Sequence, residues 1–319
     1  MIELLRRWSA LLALSAAAPP LAALDILVTN DDGATANLRA LYQELTEAGH
    51  DVLVAVPCRN QSGQGAALRL LQPIGPLAQD CRGGVAVAGA PGVGVASGEP
   101  YLHYVDSTPV AALLYGLDVL AAARWGDAPD LVISGPNEGN NVGQVNPSSG
   151  TVANAVYAIN RGLPALSVSA DGNTANDAAL AREVARITNR VVTELERQST
   201  RQPLLPEGTG LNVNVPKFTA GAGATLPFAR TSVGVYSTVV PRFVINLADD
   251  PMAKAAGITQ TLPGITFVNG DPAGADIDSE ALLLGQGKVT VSVIEGNFGA
   301  GPTARARAQA RVGALFRSP

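Results

Sequence analysis

Asp25-Ile-Leu-Val-Thr-Asn-Asp-Asp-Gly33 joins a short apolar run to two adjacent carboxylates and a glycine. The run at 25–29 is typical of a buried strand in a parallel sheet. Leucines at 38, 41 and 45 follow at helical spacing, and Gly49 stands where that helix should end. Because a helix follows the strand, the Asp-Asp-Gly turn is not the tip of a hairpin. The stretch therefore predicts an α/β fold in which the two aspartates stand at the carboxyl end of the first strand.

The same alternation of strands and helices continues to residue 216. Further strands are predicted at 51–56, 85–88, 130–134 and 164–169, and further helices from Thr108-Pro109 onward and at 151–161 and 175–198. This order implies a mostly parallel sheet that is covered on both faces. After 211–216, glycine-rich turns separate β-branched runs at 230–236, 242–246, 265–268 and 289–294, which indicates hairpins or an antiparallel extension.

Composition excludes several classes of protein. The chain has 319 residues, of which 47% are hydrophobic, so it can bury a substantial core and is not disordered. A net charge of −5 and an aromatic content of 4% disfavour binding to a nucleic-acid polymer, although single phosphates are not excluded. Two cysteines and two histidines are too few for a zinc site of the Cys or His type. A Ser-His-Asp arrangement would have to use His50 or His103.

Residues 1–23 have the layout of a secretory signal peptide. Arg6 and Arg7 precede an apolar run at 8–18, and Ala22 and Ala23 offer cleavage positions. The run is shorter than the roughly 20 residues that span a bilayer, and the alternative is an ordinary buried helix. We expect an exported protein, periplasmic or secreted, that does not act in a membrane.

Export also changes the interpretation of the two cysteines. Cys58 and Cys81 would then lie in an oxidising compartment, where a disulfide persists. Because a sequence gives no distance between sulfur atoms, a disulfide and two buried free thiols remain alternatives.

Three loops that follow predicted strands are rich in oxygen-bearing side chains. Asp31 and Asp32 repel each other and need a cation or a proton to coexist. A hard divalent metal prefers such oxygen ligands, whereas the alternative is a plain Asp-Gly turn. The loops at 57–65 and 134–141 add Asn, Gln and Ser side chains. Since ligands of open α/β sheets bind beyond the carboxyl ends of strands, the three loops together favour a metal site.

The stretch Ser148-Ser-Gly-Thr151 stands directly before a predicted helix. The first N–H groups of a helix lack partners and attract anions, whereas the alternative is plain capping by Ser or Thr. A phosphate cradle beside a carboxylate-bound metal would serve phosphoryl chemistry, because the metal polarises the phosphoryl oxygen or activates water.

Several motifs in the same order resemble the SurE-like survival proteins, a family of metal-dependent nucleotidases and acid phosphatases. The resemblance is close over 25–169 and looser at 211–216 and 276–293. It is carried by Ile26-Leu-Val-Thr-Asn-Asp-Asp-Gly33, Asn60-Gln-Ser-Gly63, Ser107-Thr-Pro109, Ser134-Gly-Pro-Asn-Glu-Gly-Asn-Asn141, Ser149-Gly-Thr-Val152 and Gly162-Leu-Pro-Ala165.

This resemblance implies a Rossmann-like three-layer α/β/α fold with a mostly parallel sheet and a C-terminal β-rich extension. The expected division is a catalytic core at 24–216 and an extension with hairpins at 217–319 that serves oligomerisation or substrate binding, in a homodimer or homotetramer. The implied metal ligands, for Mg²⁺ or Mn²⁺, are Asp31, Asp32, Ser62 and Asn137. The implied phosphate contacts are Asn60, Asn141, Ser149, Gly150 and Thr151.

We therefore predict a metal-dependent phosphomonoesterase that hydrolyses nucleoside monophosphates to nucleoside and phosphate, with Asp31 and Asp32 as catalytic residues. Two alternatives remain. A nucleoside hydrolase also uses strand-end aspartates with a metal, although it needs a denser Asp cluster than 33–38 offers. An exported nucleotide-binding protein without turnover could use the same ligands.

Overall fold

The computed structural model describes residues 23–199, 203–312 and 315. The predicted signal peptide at 1–23 lies outside them, apart from Ala23. The strands are β1 (Asp25–Thr29), β2 (Asp51–Pro57), β3 (Val93–Ala96), β4 (Glu99–Val105), β5 (Leu131–Glu138), β6 (Ala165–Ala170), β7 (Thr209–Val215), β8 (Phe228–Thr231), β9 (Val239–Val244), β10 (Gly264–Asn269) and β11 (Val289–Glu295).

The helices alternate with these strands over the first two thirds of the chain. They are α1 (Ala36–Glu47), α2 (Pro109–Tyr115), α3 (Ala122–Arg124), α4 (Gly150–Asn160), α5 (Ala178–Gln198), α6 (Pro251–Ala255), α7 (Glu280–Gly285) and α8 (Pro302–Arg311). A π-helical segment, Gly116–Ala121, joins α2 to α3. No helix in the described ranges combines the length and the apolar character that crossing a membrane requires.

A nine-stranded sheet runs in the order β3-β4-β2-β1-β5-β6-β7-β11-β8. The six strands from β4 to β7 are parallel to their neighbours, whereas β3 and β11 run antiparallel to β4 and β7. The chain leaves β1 toward β2 and β4 and later returns to the other side of β1 as β5. Such a reversal opens a crevice at the carboxyl ends of β1 and β5, which is where ligands bind in this type of sheet.

Helices cover both faces of the sheet, as predicted, and the fold is a three-layer α/β/α structure. On one face, Leu38 of α1 and Val184 of α5 pack on Ile26 and Ile133. On the other face, α2 and α4 pack on Leu27 and Val132 of the same two strands. Because β1 and β5 are buried on both sides, residues 26–28 and 131–133 are continuous apolar runs.

Capping residues determine where α1 begins and ends. The hydroxyl of Thr35 accepts a hydrogen bond from the Leu38 amide at 3.1 Å, which satisfies one free N–H of the first turn. Gly49 adopts a φ of 99° just beyond the helix, in the left-handed region that favours glycine. The predicted extent of this helix is confirmed.

The strand predicted at 85–88 is wrong. Arg82–Gly84 forms a 3₁₀ turn, and Gly83 and Gly84 have positive φ values of 73° and 72°. The Cys81 amide bonds to the Ala86 carbonyl at 2.9 Å, so the segment closes on itself and offers no free edge to the sheet. The edge is instead the hairpin of β3 and β4, whose proline and polar residues concealed it in the sequence.

The chain beyond 216 contributes to the main sheet. From the predicted extension, β11 pairs with β7 and β8 pairs with β11, while β9 and β10 form a separate antiparallel hairpin. The division at residue 216 stays a prediction. On one face of the hairpin, Phe243 pairs with Ile265, and their side chains are 63% and 65% exposed.

Cys58 and Cys81 form a disulfide, which decides between the two alternatives left open by the sequence. Their Cα atoms are 4.7 Å apart and their separation along the chain is 23 residues. The bridge closes the loop that carries Asn60 and Ser62 at the end of β2.

Removal of this bridge should lower thermal stability. A crosslink of this length contributes about 3 kcal/mol to the free energy of unfolding, which corresponds to roughly 5 °C in Tm for a chain of this size. Calorimetry with and without dithiothreitol measures the difference, and a Cys58→Ser/Cys81→Ser variant insensitive to dithiothreitol is the control. Two reactive thiols per chain in unfolded, unreduced protein would contradict the pairing.

Candidate active site

Polar side chains gather in the crevice where β1, β2 and β5 end. Asp31 and Asp32 follow β1 after Asn30; Asn60 and Ser62 follow β2; and Asn137 is the last residue but one of β5. The first turn of α4 closes the same side. These elements bring together four of the loops that the sequence predicted to be functional.

Asp31 is the most deeply held carboxylate of the site. It is buried, and its Oδ1 and Oδ2 atoms accept hydrogen bonds from the Thr151 hydroxyl at 2.6 Å and the Gly150 amide at 3.1 Å. Burial raises its pKa from 3.8 to about 6, with repulsion from Asp32 as the second cause, against the lowering effect of these hydrogen bonds. A proton and a divalent cation would therefore compete for the Asp31 carboxylate.

Asp32 contacts the other two loops. Its Oδ1 accepts from Asn60 Nδ2 at 3.0 Å and from the Ser62 hydroxyl at 3.4 Å, and its Oδ2 accepts from the Glu138 amide at 2.9 Å. Burial raises its pKa, and these donors oppose the shift together with the charge of Arg82. Asp32 therefore joins the ends of β2 and β5 to the end of β1.

Asn137 carries an oxygen that lacks a protein partner. Its Nδ2 donates to the Gly139 carbonyl at 2.7 Å, which orients the amide, and its Oδ1 is buried without a hydrogen bond. A buried amide oxygen left unpaired is costly unless something else satisfies it. The adjacent residue, Glu138, already bonds to Asp32 through its amide.

This donor set fits a hard divalent cation. All four predicted ligands supply oxygen atoms, which a hard cation prefers. The two carboxylates repel each other, the Ser62 hydroxyl lies beside Asp32, and the Asn137 Oδ1 has no hydrogen-bond partner. Within the described ranges, no three His, Cys, Asp or Glu side chains form a metal-holding group. A cation here would therefore depend on two carboxylates and on neutral oxygens.

The first turn of α4 faces the carboxylate of Asp31. Ser149 caps the helix through its hydroxyl, which accepts from the Val152 amide at 3.1 Å. A Cβ atom on Gly150 would lie 2.6 Å from the Asp31 Cβ and 2.8 Å from the Pro109 Cγ. Only glycine fits this contact, and the positive end of the helix lies against Asp31. The phosphate-binding role of this turn stays a prediction.

Asn60 and Asn141 have hydrogen-bond partners within the protein. Asn60 Oδ1 accepts from the Ser62 amide at 2.7 Å, which shapes the loop after β2. Asn141 is buried, donates to the Ser169 hydroxyl at 2.9 Å and accepts at its carbonyl from Asn214. Their contacts with a phosphate stay predictions.

Arg82 and Glu138 belong to the site, although neither was predicted from the sequence. Arg82 Nη1 donates to the Asp32 carbonyl at 2.9 Å, and Nη2 donates to the Glu138 carboxylate. Burial raises the pKa of Glu138, and Arg82 opposes the shift. One indication of the role of Arg82 was present in the sequence, namely its position directly after Cys81. The disulfide brings Cys81, and Arg82 with it, to the end of β2.

A buried carboxylate from the C-terminal part supports the loop that leads to α4. The Oε1 atom of Glu280 accepts from the Gly143 amide and from Asn146 at 3.0 and 3.1 Å. Its Oε2 accepts from Asn212 of β7 and Ser292 of β11 at 3.0 and 2.8 Å. Glu280 thus connects the loop between Asn137 and Ser149 to the far strands of the sheet.

Both histidines lie away from this crevice. His50 precedes β2 at the opposite end of the parallel strands, where its Nδ1 accepts from the Leu24 amide at 3.3 Å. His103 pairs with Ala55 within β4, and its ring is 6.3 Å from that of Tyr115. Neither contacts the carboxylate pair.

The fold and the crevice define an α/β protein whose oxygen-bearing residues converge at the reversal point of a parallel sheet. The family model of the survival protein SurE matches residues 26–238. The chain belongs to the SurE family.

Individual relatives agree with this membership. A "5'-nucleotidase SurE" of Methanocella arvoryzae is 34% identical over 67% of this chain and 75% of its own length. An "Acid phosphatase" of Yarrowia lipolytica is 36% identical over 60% of this chain and 56% of its own length, so the match spans little more than half of the fungal protein. The crystal structure of the SurE protein from Aquifex aeolicus, 22% identical, matches 92% of this chain and 99% of its own with a TM-score of 0.63.

Substitution of Gly150 should disturb the carboxylate pair. Alanine ordinarily stabilises a helix relative to glycine by about 1 kcal/mol, but here its Cβ would collide with Asp31. We expect Gly150→Ala to lower Tm and weaken Mn²⁺ binding more than about tenfold. Gly285→Ala in α7, where a Cβ meets no atom within 4 Å, is the matched control and should be neutral or stabilising. A Gly150→Ala protein that binds Mn²⁺ like wild type would contradict the contact.

Loss of the Glu280 carboxylate should loosen the loop before α4. Glu280→Ala leaves four buried donors without their acceptor, and we expect a loss of about 3 kcal/mol in the free energy of unfolding. Amide hydrogen exchange at Gly143 should accelerate, because that N–H donates to Glu280. Glu295→Ala, at the exposed end of β11, is the control. An unchanged exchange rate at Gly143 in Glu280→Ala would show that Glu280 does not hold the loop before α4.

Proposed function

We propose that the protein is a metal-dependent phosphomonoesterase that hydrolyses nucleoside monophosphates to nucleoside and inorganic phosphate. One observation carries the proposal. Asp31, one of two adjacent buried carboxylates, accepts hydrogen bonds from Gly150 and Thr151 in the first turn of α4. A carboxylate pair of the kind that a hard cation prefers, next to a helix start of the kind that attracts anions, supports this proposal.

The protein's part in this reaction is to bind and orient. Asp31, Asp32, the Ser62 hydroxyl and the Asn137 oxygen are the proposed cation ligands, with Mg²⁺ or Mn²⁺ as the cation. When bound, a divalent cation supplies Lewis-acid polarisation of a phosphoryl oxygen and a more acidic water. Asn60, Asn141 and the Ser149-Gly150-Thr151 turn are the proposed contacts of the phosphate. Burial of the site strengthens each of these electrostatic contacts.

The relatives support the class of reaction. Proteins named acid phosphatase and 5'-nucleotidase share 34–36% of their residues with this chain over the matched regions. Because the fungal protein extends well beyond its match, the activity and the substrates of this chain are proposed from the site rather than transferred from that relative.

Export and self-association complete the proposal. An oxidised Cys58–Cys81 pair suits a periplasmic or secreted protein, in line with the signal-peptide pattern at 1–23. The exposed apolar face of the β9–β10 hairpin, with Phe243, Ile265 and Phe267, is the proposed contact in a homodimer or homotetramer.

Product analysis tests the function. Purified protein is incubated with a panel of nucleoside 5'- and 3'-monophosphates and nucleosides, with EDTA, with Mg²⁺ or with Mn²⁺. We expect inorganic phosphate and nucleoside as products, abolished by EDTA and restored by the cation. Release of free base would establish a nucleoside hydrolase instead. Binding without any product would establish a nucleotide-binding protein.

Asp31→Asn should separate the role of this carboxylate in binding from its role in folding. The variant keeps the size of the side chain but removes one ligand charge. We therefore expect phosphate release to fall by more than about a hundredfold, since loss of even an indirect partner of a metal ligand costs 10- to 100-fold. Comparable turnover in variant and wild type would reject Asp31 as a ligand.

The pH dependence of stability provides the second readout of this variant. In EDTA, folded protein holds the Asp31 proton more tightly than the unfolded chain, since its pKa is raised from 3.8 to about 6. The stability contributed by that proton is complete below pH 3.8 and is lost as the pH rises to about 6. Urea unfolding of Asp31→Asn should lack this component. Identical pH profiles for the two proteins would contradict the raised pKa.

A further inference from the structure

Arg82 reaches two loops of the site at once. Its Nη1 donates to the Asp32 carbonyl at 2.9 Å and lies 3.7 Å from Asp32 Oδ1, while Nη2 donates to the Glu138 carboxylate. The side chain keeps 33% of its surface exposed. It therefore lies between the end of β1 and the end of β5.

The guanidinium keeps donors for a further partner. An arginine side chain has five N–H donors in a planar fork. The described contacts occupy one on Nη1 and one on Nη2. The remaining donors take part in none of the described contacts, and a third of the side chain is exposed. A planar fork is suited to phosphate, which it can bind through two parallel hydrogen bonds.

The negative charges of the site call for a positively charged side chain such as that of Arg82. Asp31, Asp32 and Glu138 bring three negative charges when ionised, and a divalent cation leaves one of them uncompensated. Arg82 makes the loaded site neutral. Without it, a phosphomonoester dianion would approach a site of its own sign, and like charges brought together at short range are destabilising.

The disulfide explains how Arg82 arrives there from a loop. Cys81 precedes it in the chain, and the Arg82 amide donates to the Cys58 carbonyl at 2.8 Å. Gly83 packs closely on the loop after β1, since a Cβ on it would lie 2.4 Å from the Ala34 carbonyl oxygen. The turn at 81–83 is thus attached to the end of β2 on one side and to the Asp31-Asp32 loop on the other.

We propose that Arg82 is a substrate-binding residue that donates to the phosphate oxygens of the monoester, and that the Cys58–Cys81 disulfide holds it in that position. The inference rests on the proposed function, because it assumes that a phosphomonoester occupies the crevice. It adds a binding residue to the predicted phosphate contacts and gives the disulfide a role in affinity.

Calorimetric titration with inorganic phosphate in saturating Mg²⁺ tests the role of Arg82 without requiring turnover. We expect Arg82→Gln to raise the phosphate Kd at least about tenfold, because a charge-assisted donor pair is lost. Arg82→Lys keeps the charge but not the planar fork. Its phosphate Kd should lie between those of wild type and Arg82→Gln. The Kd for Mn²⁺, measured by electron paramagnetic resonance, should be unchanged or lower in Arg82→Gln, because a nearby positive charge is removed.

Arg59 offers a matched control. It follows Cys58 at the other end of the bridge, has a side chain 34% exposed, and pairs with Asp106 at 2.6 Å. Arg59→Gln should leave the phosphate Kd within about twofold of wild type, since Arg59 pairs with Asp106 and not with Asp32 or Glu138, and loss of such an ion pair costs little stability. An equal loss of phosphate affinity in Arg82→Gln and Arg59→Gln would show that only the overall charge of the loop matters. That result would overturn the proposal.

A double-mutant cycle tests the role of the disulfide. Cys58→Ser/Cys81→Ser should weaken phosphate binding in the wild-type background and have less than about a twofold further effect in Arg82→Gln, because both changes act through the same side chain. Additive effects would show that the bridge acts elsewhere.

The outcomes separate this proposal from the function itself. Wild-type phosphate affinity in Arg82→Gln, with a folded protein by circular dichroism, would overturn the role of Arg82 and leave the phosphomonoesterase intact. If Arg82→Gln does not fold, Arg82→Lys decides the same question. Absence of phosphate binding by wild type in Mg²⁺ would overturn both proposals together.

Discussion

Two adjacent carboxylates, buried at the carboxyl end of a central parallel strand, are the constraint on which the site depends. Asp31 and Asp32 repel each other, and burial increases the cost of their charges. Hydrogen-bond donors around the pair stabilise both carboxylates. Gly150 and Thr151 donate to Asp31, whereas Asn60, Ser62 and the Glu138 amide donate to Asp32. A divalent cation would compensate the remaining negative charge, and the unpaired oxygen of Asn137 marks a place for it.

Segments distant in sequence hold this arrangement in place. The disulfide brings the turn at 81–83 to the end of β2, so that Arg82 can bind both Asp32 and Glu138. Glu280, 137 residues after Gly143, fastens the loop that precedes α4 to the last strands of the sheet. The C-terminal part of the chain therefore contributes to the geometry of the crevice, whatever its role in assembly.

Local patterns predicted the parts of the molecule that local physics determines. The apolar run before Asp31 and the helical leucines after it predicted β1 and α1, because burial on both faces and capping leave clear signals. The proximity of Asp31 to the start of α4 was predictable, because strand ends and a helix start meet at one edge of the sheet, whereas the hydrogen bonds of Gly150 and Thr151 to Asp31 were not. Arg82 and Glu280 could not be predicted in this way, because their positions depend on a crosslink and on long-range pairing. The strand expected at 85–88 failed for the same reason, since the disulfide-linked turn removes that segment from the sheet.

Anomalous diffraction from crystals containing Mn²⁺ would show whether the carboxylate pair binds a divalent cation. We expect one strong peak within bonding distance of carboxylate oxygens of both Asp31 and Asp32 and of Asn137 Oδ1, and its loss in Asp31→Asn crystals. A manganese peak elsewhere, with Asp31 still bound only by Gly150 and Thr151, would contradict this expectation.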